Sequence, residues 1–322
     1  MDFLVSVIVP VYNAEKFIEK AINSALMLKE VGEVIVVNDG STDNSLAIIN
    51  KIQKNDQRVK IYHHKQNKNK GRAASRNLGI IKSVYNYIAF LDADDYYLEN
   101  RFVSEKVFFS ENQDIDGIYS NIGAHFYRNS LIGERNQLEI TGVSEEIPSD
   151  ELFEMLLSCR KGYFSIDGLT VKKSIFDKTG LFLEQLVVAE DTELFFKMAL
   201  LCNLKTGIVD KPVAMRGVHE ENIFNQTAVY NIYRPLMYEL LTAWMLKKKI
   251  HISKIDILLN RMWIFRYKQN FTLLNEIRYY FIFFFKNPSL IFTQLSIKYF
   301  PIVRLRQKLF PSIFHKVIIF FI

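Results

Sequence analysis

Over the first hundred residues, short apolar runs alternate with longer amphipathic stretches. Residues 5–9, 33–37 and 87–91 have strand length and lack the in-out alternation of a half-solvated strand, so they predict strands covered on both faces. Between them, residues 14–28 set Phe17, Ala21, Ser24, Ala25 and Leu28 on one helical face. Asp43 predicts the N-cap of a helix through Lys54, residues 58–62 a third strand, and Gly71 opens a helix through about residue 83. Strands alternating with helices at this spacing predict a doubly wound, mainly parallel α/β sheet flanked by helices.

Past Asp95 the pattern predicts a helix over 99–109, a strand over 117–119, a polar segment to Ile147, and a helix starting at Pro148-Ser149-Asp150. Glu190-Asp191-Thr192-Glu193 precedes an amphipathic helix, residues 209–213 read as a short strand, and residues 216–222 as a polar loop. From Tyr230 onward the chain reads as helical. The expected division is an α/β domain over 1–225, with halves 1–100 and 101–225, and a helical region over 226–322.

Charge sharpens that division. The chain of 322 residues carries a formal +6, yet residues 241–322 hold fourteen Lys and Arg against Asp256 and Glu276, a net +12. The body is therefore acidic, at −6, and the appendage basic and aromatic. Ile302, Leu305 and Leu309 at helical spacing, with Arg304, Arg306 and Lys308 between them, predict a helix lying at a membrane surface. Packing of these aromatics on the body or on a partner is the other reading. The longest apolar run there is seven residues, against about 20 for a membrane span. Cys159 and Cys202 form no CxxC pair and the first residues do not read as a leader, so a cytosolic location at the inner membrane surface is expected. Nucleic-acid-binding motifs, GxG and GxxxxGK[ST] are absent from the sequence, which disfavours nucleic acid, dinucleotide and P-loop chemistry.

The candidate chemistry sits where the strands stop. Leu91-Asp92-Ala93-Asp94-Asp95 ends the fourth strand in acids, at the sheet edge where α/β folds bind ligands. In extended geometry Asp92 and Asp94 share a side about 6.6 Å apart, at roughly 3.3 Å per residue. Two charges at that spacing repel by about 2.5 kcal/mol at an effective dielectric of 20. A hard divalent cation such as Mn2+ or Mg2+ removes that cost; a solvated acidic turn is the bland alternative. Glu190 and Asp191 likewise read as helix capping when taken alone.

Together Ser6-Val7-Ile8-Val9-Pro10-Val11-Tyr12-Asn13, Val36-Val37-Asn38-Asp39-Gly40-Ser41-Thr42-Asp43, residues 71–79 and Leu91-Asp92-Ala93-Asp94-Asp95 resemble the inverting glycosyltransferases of family 2, which have the GT-A fold. The resemblance implies that Pro10, Tyr12, Asn13 and Asp39 hold the nucleotide, with Tyr12 against the base and Asp39 accepting from a base N–H. It implies Arg76 at the diphosphate or base edge, with Arg72 a weaker match, Asp92 near the ribose, and Asp94 on the metal with Asp95 through water. Asp191 becomes the general base and Glu190 a residue that positions the acceptor, while the loop holding Arg216, His219 and Asn222 loosely matches one that closes over the diphosphate, in which His219 completes the metal shell or contacts phosphate. Residues 164–168 fall where the family lines its acceptor pocket. The implied activity is metal-dependent transfer of a sugar from a nucleotide-sugar donor, a UDP-sugar in the first instance, to a glycan or lipid-linked acceptor in polysaccharide assembly. A non-catalytic nucleotide-binding subunit of a membrane-associated assembly is the alternative.

Overall fold

The computed structural model describes residues 3–222, 227–267 and 272–304. The chain divides into two compact units, Met1–Tyr230 and Asn231–Ile322. In the first, β1 (Val5–Val11), α1 (Ile18–Leu26), β2 (Val31–Asn38), α2 (Ser45–Asn55), β3 (Val59–His63), α3 (Arg72–Lys82) and β4 (Tyr87–Phe90) alternate as the hydrophobic pattern predicts. They are followed by β5 (Tyr96–Tyr97), α4 (Val103–Glu111), β6 (Gly117–Tyr119), β7 (Gly123–Phe126), α5 (Glu134–Leu138), α6 (Leu152–Ser158) and β8 (Leu169–Lys172). The unit continues through α7 (Ile175–Thr179), α8 (Glu190–Leu201), β9 (Leu204–Thr206) and β10 (Ala214–Val218).

Seven strands form one sheet in the order β3-β2-β1-β4-β8-β6-β9, in which only β8 runs against its neighbours. This is the doubly wound, mainly parallel sheet the pattern predicts. Successive side chains of a strand point to opposite faces. Val5, Val7 and Val9 accordingly join Ile18, Ala21, Ile22 and Ala25 of α1 in one core, while Ile8 meets α3. At Gly79 of α3 a Cβ would stand 2.4 Å from Ile8 Cγ2, so the helix sits on the sheet only because that residue has no side chain.

Five strands, β5, β7, β8, β9 and β10, escape the sequence pattern because each is only two to five residues long. Residues 169–172 form β8, and residues 123–126 form β7 within what reads as a polar segment. The strand expected over 209–213 is displaced: those residues form a turn, and Arg216 to Val218, read as loop, belong to β10. A small second sheet, β5-β10-β7, explains the shift. Gly217 of β10 lies so close to the main chain of Asp94 that a Cβ would stand 2.2 Å from its carbonyl oxygen.

Because β8 is antiparallel, it begins at the edge where β4 ends, and the turn at Ile166–Gly168 delivers Asp167 beside Asp92. Arg101 secures that turn. Its guanidinium, 0% exposed, donates to the carbonyls of Asp167 and Leu169 at 2.8 and 2.9 Å and to Glu105 at 2.6 Å.

The second unit holds most of α9 (Thr227–Lys247) together with α10 (Ile252–Tyr267), α11 (Leu273–Lys286) and α12 (Gln294–Lys298). Its aromatic residues pack among themselves: Trp263, fully buried, contacts the rings of Tyr279, Phe283 and Tyr299. Both acids of the basic stretch are used internally, Asp256 by Lys298 and Tyr299 and Glu276 by Arg266. Among the described residues, no helix is long and apolar enough to cross a membrane. The expected surface helix around Leu305, Arg306, Lys308 and Leu309 lies outside the described residues.

Replacing Arg101 by Leu leaves Glu105 buried and unpaired, and should cost about 3–5 kcal/mol. Urea denaturation of Arg101→Leu and of the double variant Arg101→Leu/Glu105→Leu checks this, with the second replacement expected to restore part of the loss.

Candidate active site

Three strand ends and two later segments meet at one edge of the large sheet. Asn13, in left-handed backbone with φ 49°, accepts from the Thr42 N–H at 2.8 Å, and its own N–H donates to Ser41 Oγ at 3.1 Å. This clasp ties the turn after β1 to the turn after β2. Pro10 lies in β1 opposite Val37, and Tyr12 projects from the strand end with 53% of its surface exposed. Asp39, at the end of β2, is buried and accepts from the N–H groups of Lys70 and Gly71 at 2.7 and 2.8 Å. A carboxylate has about four acceptor positions, so this anchoring of the loop before α3 leaves capacity for a further donor.

The acids after β4 separate into two groups. Asp92, Asp95 and Asp167 have carboxylate oxygens within 4.8 Å of one another, a set with the composition to hold a cation. Protein donors already serve it: the Asp92 N–H donates to Asp167, the Gly217 N–H to Asp95, and Arg76 to Asp92. Burial and the neighbouring carboxylates of Asp167, Asp94 and Asp92 push Asp95 well above the usual carboxylate range.

Asp94 faces elsewhere. Its Oδ2 lies 2.9 Å from His219 Nε2 and 3.2 Å from Asn222 Nδ2, and its side chain retains 29% exposure. Phe17 stacks on the His219 ring at 4.9 Å and Tyr127 packs on Phe17, so the imidazole is held from behind. Asp94 and His219 thus place a carboxylate oxygen and an imidazole nitrogen side by side, a donor pair that could hold a divalent ion, the carboxylate favouring a hard one such as Mn2+ or Mg2+.

Arg76 joins the strand-end acids to the start of α8. Its side chain is 1% exposed, with one nitrogen 2.6 Å from Asp92 and another 2.8 Å from Glu190, itself 0% exposed. Burial opposes the charge of Arg76, yet Asp92, Glu190 and Asp191 hold its pKa above the ordinary arginine value. Arg72, 30% exposed, closes on the same Glu190 from the outside. The carboxylate of Glu190 is thus enclosed by two guanidiniums, and burial still pushes its pKa upward. Asn77 of α3 exchanges two hydrogen bonds of 3.0 Å with the main chain of Phe182, fixing the segment that leads into α8. Ala189, at φ 64°, then turns the chain so that α8 starts with Glu190 inward and Asp191 half-buried. Asp191 accepts from the Thr192 N–H and hydroxyl through a single oxygen.

The structure therefore brings Asp94 together with His219, and Asp92 with Arg76 and Glu190, while Asp95 turns into the buried acid set. Asp167, which the resemblance places with residues 164–168 at the acceptor pocket without a role of its own, joins the acid set beside Asp92.

Residues 6–178 match the model of Glycosyl transferase family 2, more than half of the chain. The chain belongs to glycosyl transferase family 2. Uncharacterized glycosyltransferases of Rickettsia bellii and Haemophilus influenzae are 46% and 41% identical over 34% of this chain, the matched stretches spanning 16% and 43% of those relatives. The Escherichia coli UDP-Glc:alpha-D-GlcNAc-diphosphoundecaprenol beta-1,3-glucosyltransferase WfaP is 32% identical over 180 residues, 55% of this chain and 62% of its own length. Among solved structures, S. aureus TarS 1-349 in complex with UDP-GlcNAc superposes with a TM-score of 0.64 at 22% identity, covering 81% of this chain and 73% of TarS 1-349. That likeness establishes a shared fold, of GT-A type.

The two arginines at Glu190 are not equivalent. Arg76→Met, which leaves Asp92 without its guanidinium and the buried Glu190 with only the partly solvated Arg72, should cost about 3–5 kcal/mol. Arg72→Met should cost less than half of that, because Arg72 is partly solvated and Arg76 still meets Glu190. Thermal unfolding of the two variants checks the order; a larger loss for Arg72→Met would refute it.

Proposed function

We propose that this protein is a metal-dependent, inverting glycosyltransferase that moves a sugar from a UDP-sugar to a glycan or lipid-linked acceptor in polysaccharide assembly. The observation that carries this reading is the bridge made by Arg76. It couples Asp92, after the fourth strand, to Glu190, next to Asp191, and so sets a donor-side acid and a candidate base on one rigid frame.

In this reading Tyr12 offers its exposed ring to the base, since an aromatic face stacks on any nucleobase, and the spare acceptor positions of Asp39 select a base N–H. Asp92 faces the ribose, oriented by Arg76. Asp94 and His219 are the residues that would hold Mn2+ or Mg2+, and Asp95 acts behind them by anchoring Gly217 of β10. When bound, the ion supplies Lewis-acid neutralisation of the charge on the departing nucleoside diphosphate. Asp191 removes the proton of the acceptor hydroxyl as its oxygen attacks the anomeric carbon opposite the diphosphate; the new C–O bond forms as the bond to the diphosphate breaks. Glu190, enclosed by Arg72 and Arg76, positions Asp191 through the first turn of α8.

The donor class rests on two neighbours. WfaP is named for UDP-Glc, and TarS was solved with UDP-GlcNAc. The name of WfaP also carries a diphosphoundecaprenol-linked acceptor. A lipid-linked acceptor agrees with the net charge of +12 over residues 241–322, which favours work at the inner, anionic membrane surface.

Thermal unfolding with UDP, GDP, CMP and dTDP, each with and without Mn2+, tests the donor site. A nucleotide at 100 times its dissociation constant adds about 2.7 kcal/mol of stability. A Mn2+-dependent shift with UDP that disappears in Asp94→Ala is the expected result. Asp191→Asn should keep that shift while transfer falls by about 10²- to 10⁴-fold. Loss of UDP binding in Asp191→Asn would refute the base assignment, and UDP binding with no turnover across an acceptor panel would favour a non-catalytic subunit.

A further inference from the structure

Helix α11 is apolar on both sides. Tyr280, Phe283 and Phe284 are buried, and Phe283 and Phe284 lie against Trp263. The opposite arc carries Leu274, Phe281, Ile282 and Phe285 at 78, 46, 44 and 73% exposure. At 3.6 residues per turn, these four fall with Arg278 inside one stripe about 100° wide, the width of a surface helix's buried face. Lys286 stands at its edge, and no acid falls in the stripe: Glu276 points inward to Arg266. Phe292, 93% exposed, follows α11 in the same unit.

A helix apolar all round is normally buried or in contact with lipid. With 14 residues, α11 is about 21 Å long and cannot span a bilayer. We propose that the Leu274–Arg278–Phe281–Ile282–Phe285 face of α11 lies in the plane of an anionic membrane surface, with its aromatic side chains below the headgroups and Arg278 and Lys286 among them. This inference rests on the membrane-side part of the reading above and specifies which face makes the contact. Charge decides the occupant. The three acids of the unit are already paired within it, Asp256 with Lys298, Glu276 with Arg266 and Glu239 with Tyr279 and Lys286, so a second copy docking through this same unit would bring a similarly basic surface and be repelled, whereas an anionic bilayer attracts it.

The test is co-sedimentation of the full chain with vesicles of phosphatidylcholine containing phosphatidylglycerol, and with phosphatidylcholine alone. The parent should partition onto the anionic vesicles only. Phe281→Glu/Phe285→Glu should reduce that partition by at least about tenfold, since two largely exposed aromatic side chains no longer enter the interface. Thermal unfolding and the UDP shift of this variant should match the parent, because both side chains lie outside the packed core. A Leu305→Glu/Leu309→Glu variant, which makes the same change of charge, should lose markedly less binding than the α11 variant. Unchanged binding of the α11 variant, equal binding to phosphatidylcholine alone, or loss only in the Leu305/Leu309 variant would overturn the proposal. So would a parent dimer that the α11 substitutions dissolve. Absence of a UDP shift in the parent, by contrast, bears on the donor reading and leaves the vesicle result to stand alone.

Discussion

Charges are expensive to bury unless each meets its opposite, and the carboxyl edge of the large sheet buries many. Arg76 is the member that makes this arrangement tenable. With almost no solvent contact, it faces Asp92 on one side and Glu190 on the other. Removing Arg76 would leave Asp92 without its guanidinium and Glu190 with Arg72 alone, so strand β4, helix α3 and helix α8 are held in one mutual geometry. Arg101 does the same one layer behind, fixing the turn that brings Asp167 to Asp92. Such networks contribute less to net stability than apolar packing would; what they contribute here is a unique placement for the side chains beside them.

Four acids in and near one motif consequently serve two purposes. Asp95 and Asp167 are enclosed and take main-chain donors, Asp95 the N–H of Gly217, which holds β10 against the large sheet's edge, and Asp167 the N–H of Asp92. Asp94 is left toward solvent, with a histidine that arrives from the end of that same β10. The close approach of Gly217 to Asp94 makes this possible, because any side chain there would push the histidine's strand away from the acid.

Much of this was legible in the sequence wherever a local signal matched the final environment. The buried strands β1, β2 and β4 read as apolar runs because both faces are covered, and the turns at their ends read as polar because they line the site. The strands β5, β7, β8, β9 and β10 were missed or displaced for the opposite reason: each is two to five residues long, and its pairing is decided by distant chain segments. Arg216 reads as loop beside polar neighbours, but the small sheet claims it. Asp94 and Asp95 were expected to act on the same ion, as adjacent acids invite, and only the three-dimensional pairing separates them. The partner of Arg76 was not legible at all, since nothing near it in sequence calls for a glutamate 114 positions away.

That separation has a consequence for how the chain is made. When Arg76 and Asp92 leave the ribosome, Glu190 has not been synthesised. At about 5–20 residues per second, the intervening 114 residues take roughly 6 to 23 s. Throughout that interval the half-built sheet edge carries a guanidinium meant for burial with only one of its carboxylates. Water must keep the edge hydrated until α8 arrives, so closure of the active-site frame is tied to the later half of translation.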